Sequence, residues 1–359
     1  MLVHICCSVD SHYFLQKLRG DYPDEKITGY FYNPNIHPYS EYMLRLIDVR
    51  RSCEMLDIEL IEGEYDIDTW FKMTSGLERE PEKGARCNVC FEGRFEKTAK
   101  QAMRMGEQIF TSTLLLSPKK LRQSLVDIGR SIALEHGLDF LSPDYRKGSG
   151  TQEQNALAKE ARLYRQNYCG CIYALKRQRD EMGMYADELL SPISGQVQPG
   201  SLDDRLRIYR KRLELEKNDM SYLLGKERFL RWRLESLKVK NSERIITAHA
   251  LPYSTAGHRR IRGKVTYEYH GIYFMDRGAV RIISIDKYND LCESSYKNTL
   301  ELIFDPPKFE KELLIRREIC PDPLDMGTIL VVDKIPEEKI DIEIVSAVFV
   351  SERDWLHYD

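Results

Sequence analysis

Residues 2–11 have the sequence LVHICCSVDS, and this stretch decides the fold of the first half of the chain. Its apolar part, residues 2–7, predicts a buried strand, and the residues that follow predict a helix over 10–19. Similar alternation continues to residue 184, which is typical of βα units that form a parallel sheet. The further strands are predicted at 27–32, 58–61, 109–114 and 138–141. We therefore predict a doubly wound α/β domain over residues 1–190.

The second half of the chain has a different pattern. Turn residues cluster over 191–200 and the strand–helix alternation ends there, which is typical of a domain boundary. A highly charged stretch over 202–240 predicts one long helix, and short apolar runs separated by turns follow it. Those runs predict strands at 244–248, 264–269, 272–275, 280–285, 329–332 and 342–350. We predict a smaller C-terminal domain of α+β or mostly β type over residues 200–359.

Composition narrows the class of protein. No apolar run approaches the roughly 20 residues that span a bilayer, and the first residues lack the pattern of a signal peptide, so we predict a cytoplasmic protein without a membrane partner. Thiols stay reduced in that compartment, and nine cysteines there indicate metal or redox chemistry. The net charge of −3 means that any contact with nucleic acid depends on a local basic patch.

Six of the nine cysteines form three close pairs in the first domain: Cys6-Cys7, Cys87-x-x-Cys90 and Cys169-x-Cys171. The first pair ends the first predicted strand, which is where ligands bind in open α/β sheets. The other two pairs lie where helices are predicted to begin, and both a helix N-terminus and the neighbouring Arg86 favour the thiolate form that binds metal. The sequence therefore predicts a metal centre at one edge of the sheet.

The residues alone leave the type of metal open. A structural zinc usually takes two C-x-x-C knuckles, and only the second pair has that spacing. A [4Fe-4S] cluster would use four thiolates and leave two, with Asp10, for a second, mononuclear iron or a redox-active pair. We favour iron–sulfur, with zinc and unligated or disulfide-forming thiols as alternatives. Asp10 is either a metal ligand or the cap of the following helix.

Residues 8–11, SVDS, match the end of a known phosphate-binding loop. The stretch resembles the pyrophosphate loop Ser-Gly-Gly-x-Asp-Ser of ATP-dependent tRNA-modifying and amide-forming enzymes, which implies an adenine-nucleotide-hydrolase-like (Rossmann-like) sheet. The glycines that let a backbone wrap phosphate are missing, and Cys6 and Cys7 stand at the approach. We expect the fold without ATP binding. An ATP-dependent iron–sulfur tRNA thiolase and a zinc-organised RNA-binding module are the alternatives.

Further motifs extend over about half of the chain. They are FYNPNIHP at 31–38, EY at 41–42 with Arg45, GLE at 76–78, EPE at 80–82, RC at 86–87, CF at 90–91 with Arg94, TSTL at 111–114, SPK at 117–119 and YRQNYCGC at 164–171. Together with Cys6-Cys7 they resemble the QueH-type epoxyqueuosine reductases. The resemblance implies the last step of queuosine synthesis, in which an epoxide on a tRNA base is reduced to an alkene without cobalamin. It implies a tRNA carrying epoxyqueuosine and an external electron donor as partners.

The resemblance and the predicted strand ends together give a set of site residues. Metal ligands are predicted at Cys6, Cys7, Asp10, Cys87, Cys90, Cys169 and Cys171. Catalytic roles are predicted for Asp10, Tyr32 and His37. Substrate contacts are predicted at Asn33, Asn35, Arg86, Thr111, Thr113, Tyr164 and Arg165. For the Asn-Pro-Asn and His-Pro residues, ordinary turn chemistry is the alternative.

Basic residues supply the candidates for contact with the tRNA backbone. They are Lys119, Lys120, Arg122, Arg146, Lys147 and the run HRRIRGK at 258–264. That run lies in the second domain, which we predict to be an accessory domain for tRNA docking or oligomerisation.

Overall fold

The computed structural model describes residues 1–118, 120–242, 244–257 and 260–358. The chain divides into two compact units. The first unit contains Met1–Leu189 and Tyr209–Met220, and the second contains Leu190–Ile208 and the chain from Ser221 onward. Within the described ranges, no helix is both long and apolar enough to cross a membrane.

A five-stranded parallel sheet forms the centre of the first unit. Its strands are β1 (Leu2–His4), β2 (Thr28–Phe31), β3 (Glu59–Glu62), β4 (Ile109–Ser112) and β5 (Asp139–Phe140). The spatial order is β3-β2-β1-β4-β5, so the direction of winding reverses between β1 and β4. Ligands bind at such a switch point, outside the carboxyl ends of the strands. The predicted α/β class with a Rossmann-like sheet is confirmed.

Helices flank the strands of this sheet. They are α1 (Ser8–Asp21), α2 (Tyr39–Met55), α3 (Ile67–Met73), α4 (Ala85–Met105), α5 (Arg122–His136), α6 (Gly150–Glu160) and α7 (Ile172–Glu181), and α8 (Leu202–Lys217) follows. Gly106 and Gly137 end α4 and α5 in the left-handed conformation, with φ of 75° and 65°, which glycine adopts without strain. Leu2 and Val3 of β1 are fully buried, as expected for a central parallel strand.

Within the described residues, the second unit contains two sheets and, besides the start of α8, three helices. Its strands are β6 (Tyr222–Asn241), β7 (Arg244–Ile246), β8 (Ala248–Ala250), β9 (Arg260–Gly263), β10 (Val265–Tyr269), β11 (Ile272–Met275), β12 (Arg281–Ser284), β13 (Ile329–Val332) and β14 (Ile340–Tyr358). The helices are α9 (Ile285–Cys292), α10 (Thr299–Phe304) and α11 (Phe309–Ile319). The sheet orders are β10-β11-β12-β13-β8 and β7-β6-β14-β9.

Two apolar clusters hold these layers together. One joins the two sheets and includes Ile342 of β14 and Leu330 of β13. The other lies on the opposite face of the β10-β11-β12-β13-β8 sheet and includes helical residues such as Ile285 and Ile315. The predicted α+β character of the C-terminal region is confirmed.

The prediction of one long helix over 202–240 is wrong. Helix α8 ends at Lys217, the chain turns at Asp219 with a φ of 52°, and β6 begins at Tyr222. β6 pairs with β14 along its whole length, from Tyr222 opposite Tyr358 to Asn241 opposite Ile340. This distant partner, which is not visible in the local sequence, overrides the helical preference of the charged residues.

Candidate metal centre

All three cysteine pairs lie at helix N-termini. Cys7 is the N-cap of α1 directly after β1, Cys87 lies in the first turn of α4, and Cys171 is the N-cap of α7. The positive end of a helix dipole stabilises a thiolate. The position of each pair therefore favours the charged form of its cysteines.

Cys6, Cys7 and Asp10 form a compact group of potential metal ligands. Their ligand atoms all lie within 4.8 Å of one another, and within the described part of the chain no other group of three His, Cys, Asp or Glu is as tight. The Sγ atom of Cys6 lies 3.7 Å from that of Cys7 and 3.6 Å from Oδ2 of Asp10. All three residues are buried. The residues just before α1 and its first turn therefore place two sulfur atoms and one carboxylate close together.

These three groups depend on one another for their protonation. The hydrogen bond with Cys7 holds the pKa of Cys6 below its usual value, and the same hydrogen bond, with burial, raises the pKa of Cys7 well above it. Burial also raises the pKa of Asp10. Cys7 therefore keeps its proton until a metal ion displaces it, and metal binding at this group should release protons.

The second and third cysteine pairs receive hydrogen bonds from N–H groups. Lys83 N–H donates to Cys87 Sγ at 3.2 Å, and the indole Nε1–H of Trp70 donates to Cys90 Sγ at 3.4 Å. In the third pair, Cys171 N–H donates to Cys169 Sγ at 3.5 Å. Donors of this kind stabilise sulfur that carries negative charge, as it does in a metal-bound thiolate.

A hydrogen bond between the two thiols, separate from the N–H bond above, is the main reason that the pKa of Cys169 lies well below the ordinary thiol value, and the nearby Lys120 ammonium lowers it further. The same thiol–thiol hydrogen bond, with burial, raises the pKa of Cys171. As in the first pair, one sulfur of the two is biased toward the thiolate. Cys169 is therefore the better anchor for an incoming metal.

A cavity of 260 Å³ connects the cysteine pairs. Its wall includes at least one cysteine of each pair, together with Asp10, and it lies at the carboxyl ends of the strands. The cysteines that line it are Cys6, Cys87, Cys90, Cys169 and Cys171. The structure therefore brings six of the seven predicted metal ligands to one cavity, and the seventh, Cys7, lies 3.7 Å from Cys6.

Four of the predicted substrate residues line this cavity: Asn33, Asn35, Arg86 and Arg165. Asn33 also holds the loop, because its Nδ2 donates to Ile5 O at 2.8 Å and its Oδ1 accepts from Arg94 at 2.5 Å. Asn35 is different. Its Oδ1 is buried and has no hydrogen-bond partner among the described residues.

Six predicted site residues do not line the cavity: Cys7, Tyr32, His37, Thr111, Thr113 and Tyr164. The Tyr32 ring stacks on Tyr30, and His37 packs against Trp70 and Phe71 while its Nδ1 donates to Asn35 O at 2.8 Å. Thr111 is fully buried.

Thr113 and Tyr164 support the site from behind. Thr113 Oγ1 accepts from Cys6 N–H at 3.2 Å and lies 3.5 Å from Cys6 Sγ. Tyr164 O–H donates to Glu41 Oε2 at 2.8 Å, and its backbone N–H donates to Asp48. Thr113 thus contacts the loop that carries Cys6, whereas both of these contacts of Tyr164 are with helix α2.

Sequence analysis missed several residues that hold the ligands in place. Gln154 Nε2 donates to Asp10 Oδ1 at 2.7 Å, and Arg45 donates to the carbonyl oxygens of Tyr168 and Cys169 at 3.0 and 3.2 Å. Arg45 belongs to the motif of EY at 41–42 with Arg45, whereas the sequence around Gln154 carries no comparable signal.

Comparison with known proteins agrees with this geometry. The family model described as "Epoxyqueuosine reductase QueH" matches residues 1–177. A curated relative of that name from Helicobacter pylori is 37% identical over 366 aligned positions, covering 98% of this chain and 99% of the relative. Another, from Thermotoga maritima, is 34% identical over 184 positions, covering 50% of this chain and 93% of the relative.

Two solved structures show weaker likeness. A predicted subunit of tRNA methyltransferase from Methanocaldococcus jannaschii has a TM-score of 0.34 at 14% identity, covering 52% of this chain and 90% of its own. The U34-tRNA thiolase NcsA from Methanococcus maripaludis, with its [4Fe-4S] cluster, has a TM-score of 0.24 at 13% identity, covering 54% and 74%. The full-length likeness to the Helicobacter protein decides the assignment, and the chain belongs to the QueH family of epoxyqueuosine reductases.

Proposed function

We propose that this protein removes the epoxide oxygen of epoxyqueuosine in tRNA and so forms queuosine. The observation that carries the proposal is the convergence of three cysteine pairs and Asp10 on one cavity. The epoxide takes up two electrons and two protons and leaves an alkene and one water. An external donor supplies the electrons, cobalamin is not required, and the cytoplasm, where thiols stay reduced, is the proposed location.

We assign the seven ligands to two metal sites. Cys6, Cys7 and Asp10 would hold a single iron, because their ligand atoms are close enough together to share one ion. A [4Fe-4S] cluster would be held by the other four cysteines: Cys87, Cys90, Cys169 and Cys171. When bound, these metals supply electrons one at a time and a Lewis acid beside the cavity.

The spacing of those four cysteines favours a cluster over zinc. Zn–S bonds of about 2.3 Å in a tetrahedral site would bring four sulfurs to within about 4 Å of one another. No three of these four cysteines meet a 4.8 Å limit in the described structure. Thiolates that bind different irons of a cluster lie farther apart than those of a zinc site, so we propose a cluster at these four cysteines in preference to a single zinc ion.

The cavity also supplies acceptors for the modified base. Asn35 Oδ1 and Gln166 Oε1 are buried in its wall and have no partner within the described residues. A buried acceptor without a donor costs about 1–3 kcal/mol, and a hydroxyl or amino group of the substrate would remove that cost. We propose that these two oxygens orient the base. Tyr32 and His37, which do not line the cavity, would act by supporting its loops.

The charge of the cavity wall supports binding of a polyanion. Six basic side chains line it against two acidic ones, although the chain as a whole has a net charge of −3. The basic ones are Arg45, Lys83, Arg86, Arg94, Lys120 and Arg165. We propose that the exposed Arg165 contacts a tRNA phosphate at the mouth.

Three of the residues predicted to contact the tRNA backbone are engaged within the protein. Arg122 and Arg146 donate to the carbonyl oxygens of Ser142 and Lys120, and Arg260 pairs with Asp341. Lys119, His258 and Arg259 lie outside the described residues. A tRNA-docking role for the second unit stays a proposal.

The proposed function is tested by anaerobic incubation of reconstituted protein with epoxyqueuosine-bearing tRNA and a chemical reductant, followed by nucleoside mass spectrometry. We expect queuosine with the intact protein and with Cys292→Ala, a buried lone cysteine of the second unit, and at least 100-fold less with Cys87→Ala or Cys7→Ala, because a missing metal removes the electron path. Failure of the intact, iron-loaded protein to form queuosine would refute the proposal. A thiolated nucleoside that forms only with ATP would point to the thiolase instead.

A further inference from the structure

We infer that Gln154 is a positioning residue that fixes the Asp10 carboxylate as a metal ligand beside Cys6 and Cys7. The inference rests on the proposed assignment of those three residues to a single iron. It concerns a residue whose amide donates to Asp10 and, at 3.5 Å, to the carbonyl oxygen of Val9, and which has no hydrogen bond to either thiol among the described residues.

The contact itself is short and buried. Gln154 Nε2 donates to Asp10 Oδ1 at 2.7 Å, and the two side chains are 5% and 9% exposed. The other carboxylate oxygen, Oδ2, lies 3.6 Å from Cys6 Sγ. The amide therefore occupies one oxygen and leaves the other directed at the thiol pair.

Helix α6, which carries Gln154, is itself fixed against the helix that carries Asp10. Glu153 accepts from Tyr13 O–H at 3.0 Å and forms an ion pair with Lys17 at 3.0 Å, and both partners belong to α1. Because Glu153 and Gln154 are adjacent, the register that pairs Glu153 with α1 also places the amide beside Asp10.

The hydrogen bond from Gln154 can fix the orientation of the Asp10 carboxylate. A carboxylate can rotate and offer either oxygen, or both, to a metal, so its orientation has to come from a second contact. Hydrogen-bond partners of metal ligands supply such orientation, and their removal typically costs 10–100-fold in metal affinity. A buried, uncharged donor can do this without adding a charge to a group that already contains two thiols and a carboxyl.

The test is a cobalt titration of Gln154→Met. Methionine retains most of the volume of glutamine and lacks the N–H donor. The protein carries its reconstituted cluster, the single iron is removed by mild chelation, and Co²⁺ is added anaerobically while thiolate-to-cobalt charge-transfer absorption is followed. Loss of this band in Cys7→Ala identifies the site. Gln152→Met, at an exposed glutamine of the same helix, is the matched control.

We expect Gln154→Met to bind Co²⁺ about 10–100-fold more weakly than the wild-type protein and Gln152→Met to bind it equally well. Gln154→Leu, which also lacks the donor, should behave like Gln154→Met, and unchanged cluster absorption in either variant shows that the fold is kept. Equal Co²⁺ affinity in the wild type and the Gln154 variants would overturn the inference. If the Gln154 variants bind Co²⁺ more weakly and the wild-type protein forms no queuosine, the reductase proposal is refuted and this inference stands.

Discussion

At the scale of single residues, Arg45 links an ordinary helix contact to the metal site. Its spacing from Glu41 predicts an i,i+4 ion pair, and the structure confirms it at 2.7 Å. The remaining nitrogens donate to the carbonyl oxygens of Tyr168 and Cys169, at the third cysteine pair. Arg45 and Glu41 are both buried, so neither charge has water as an alternative partner.

Replacing Arg45 with methionine should therefore be costly. The change leaves the buried Glu41 carboxylate with the Tyr164 hydroxyl but without its cationic partner, and it frees the loop at Cys169, so we expect a loss of about 3–5 kcal/mol in the free energy of unfolding. Urea unfolding of the metal-free protein measures it.

Arg50→Met is the control on the same helix. Arg50 pairs with Glu62 at the surface, with a side chain 43% exposed, and should cost at most about 1 kcal/mol. Equal losses for the two variants would show that the buried pair is not the stabilising element.

The cysteine pairs could be found from the sequence because their spacing is local, and the strand before Cys6 fixes where they lie. Gln154 could not be found, because it contacts Asp10 across 144 positions of the chain. Tyr32 and His37 follow β2 as predicted, yet the direction of each side chain depends on packing against Tyr30, Trp70 and Phe71. Residue type and strand end predict proximity to the site, and packing determines which side chains enter it.

At the scale of elements, the first unit followed from its alternation of apolar runs and helical stretches, since βα units bury strands on both faces. The strand predicted at 342–350 lies within β14, but β6 did not follow from the sequence. Its charged residues and leucines are compatible with a helix, and a long stretch of chain separates it from β14. Only the pairing between them, and the sheet beneath, makes the extended conformation favourable.

The inner face of the ribbon of β6 and β14 should carry much of the stability of the second unit. Ile342 of β14 is fully buried between the two sheets, so we expect Ile342→Ala to cost about 2–5 kcal/mol. Leu223→Ala, at a position of β6 that is 60% exposed, should change the free energy of unfolding by no more than about 0.5 kcal/mol. Thermal unfolding followed by circular dichroism compares the two, and a cost at Leu223 as large as that at Ile342 would contradict the layered packing described above.

At the scale of the whole molecule, the family match and the chemistry fall in the same part of the chain. The family model covers residues 1–177, which include all three cysteine pairs, and the likeness to the Helicobacter protein covers 98% of the chain. The second unit is thus shared with at least one relative. The reaction proposed above needs only groups from the first unit.

We propose that six cysteines and Asp10 hold two metal centres in one unit, and iron and sulfide analysis with Mössbauer spectroscopy can distinguish these centres. We predict about five irons and four sulfides per chain, corresponding to one four-iron cluster and one separate iron. Cys7→Ala should lose only the separate iron, and Cys87→Ala should lose the cluster. Zinc in place of iron, or the loss of the same metal in both variants, would contradict this proposal.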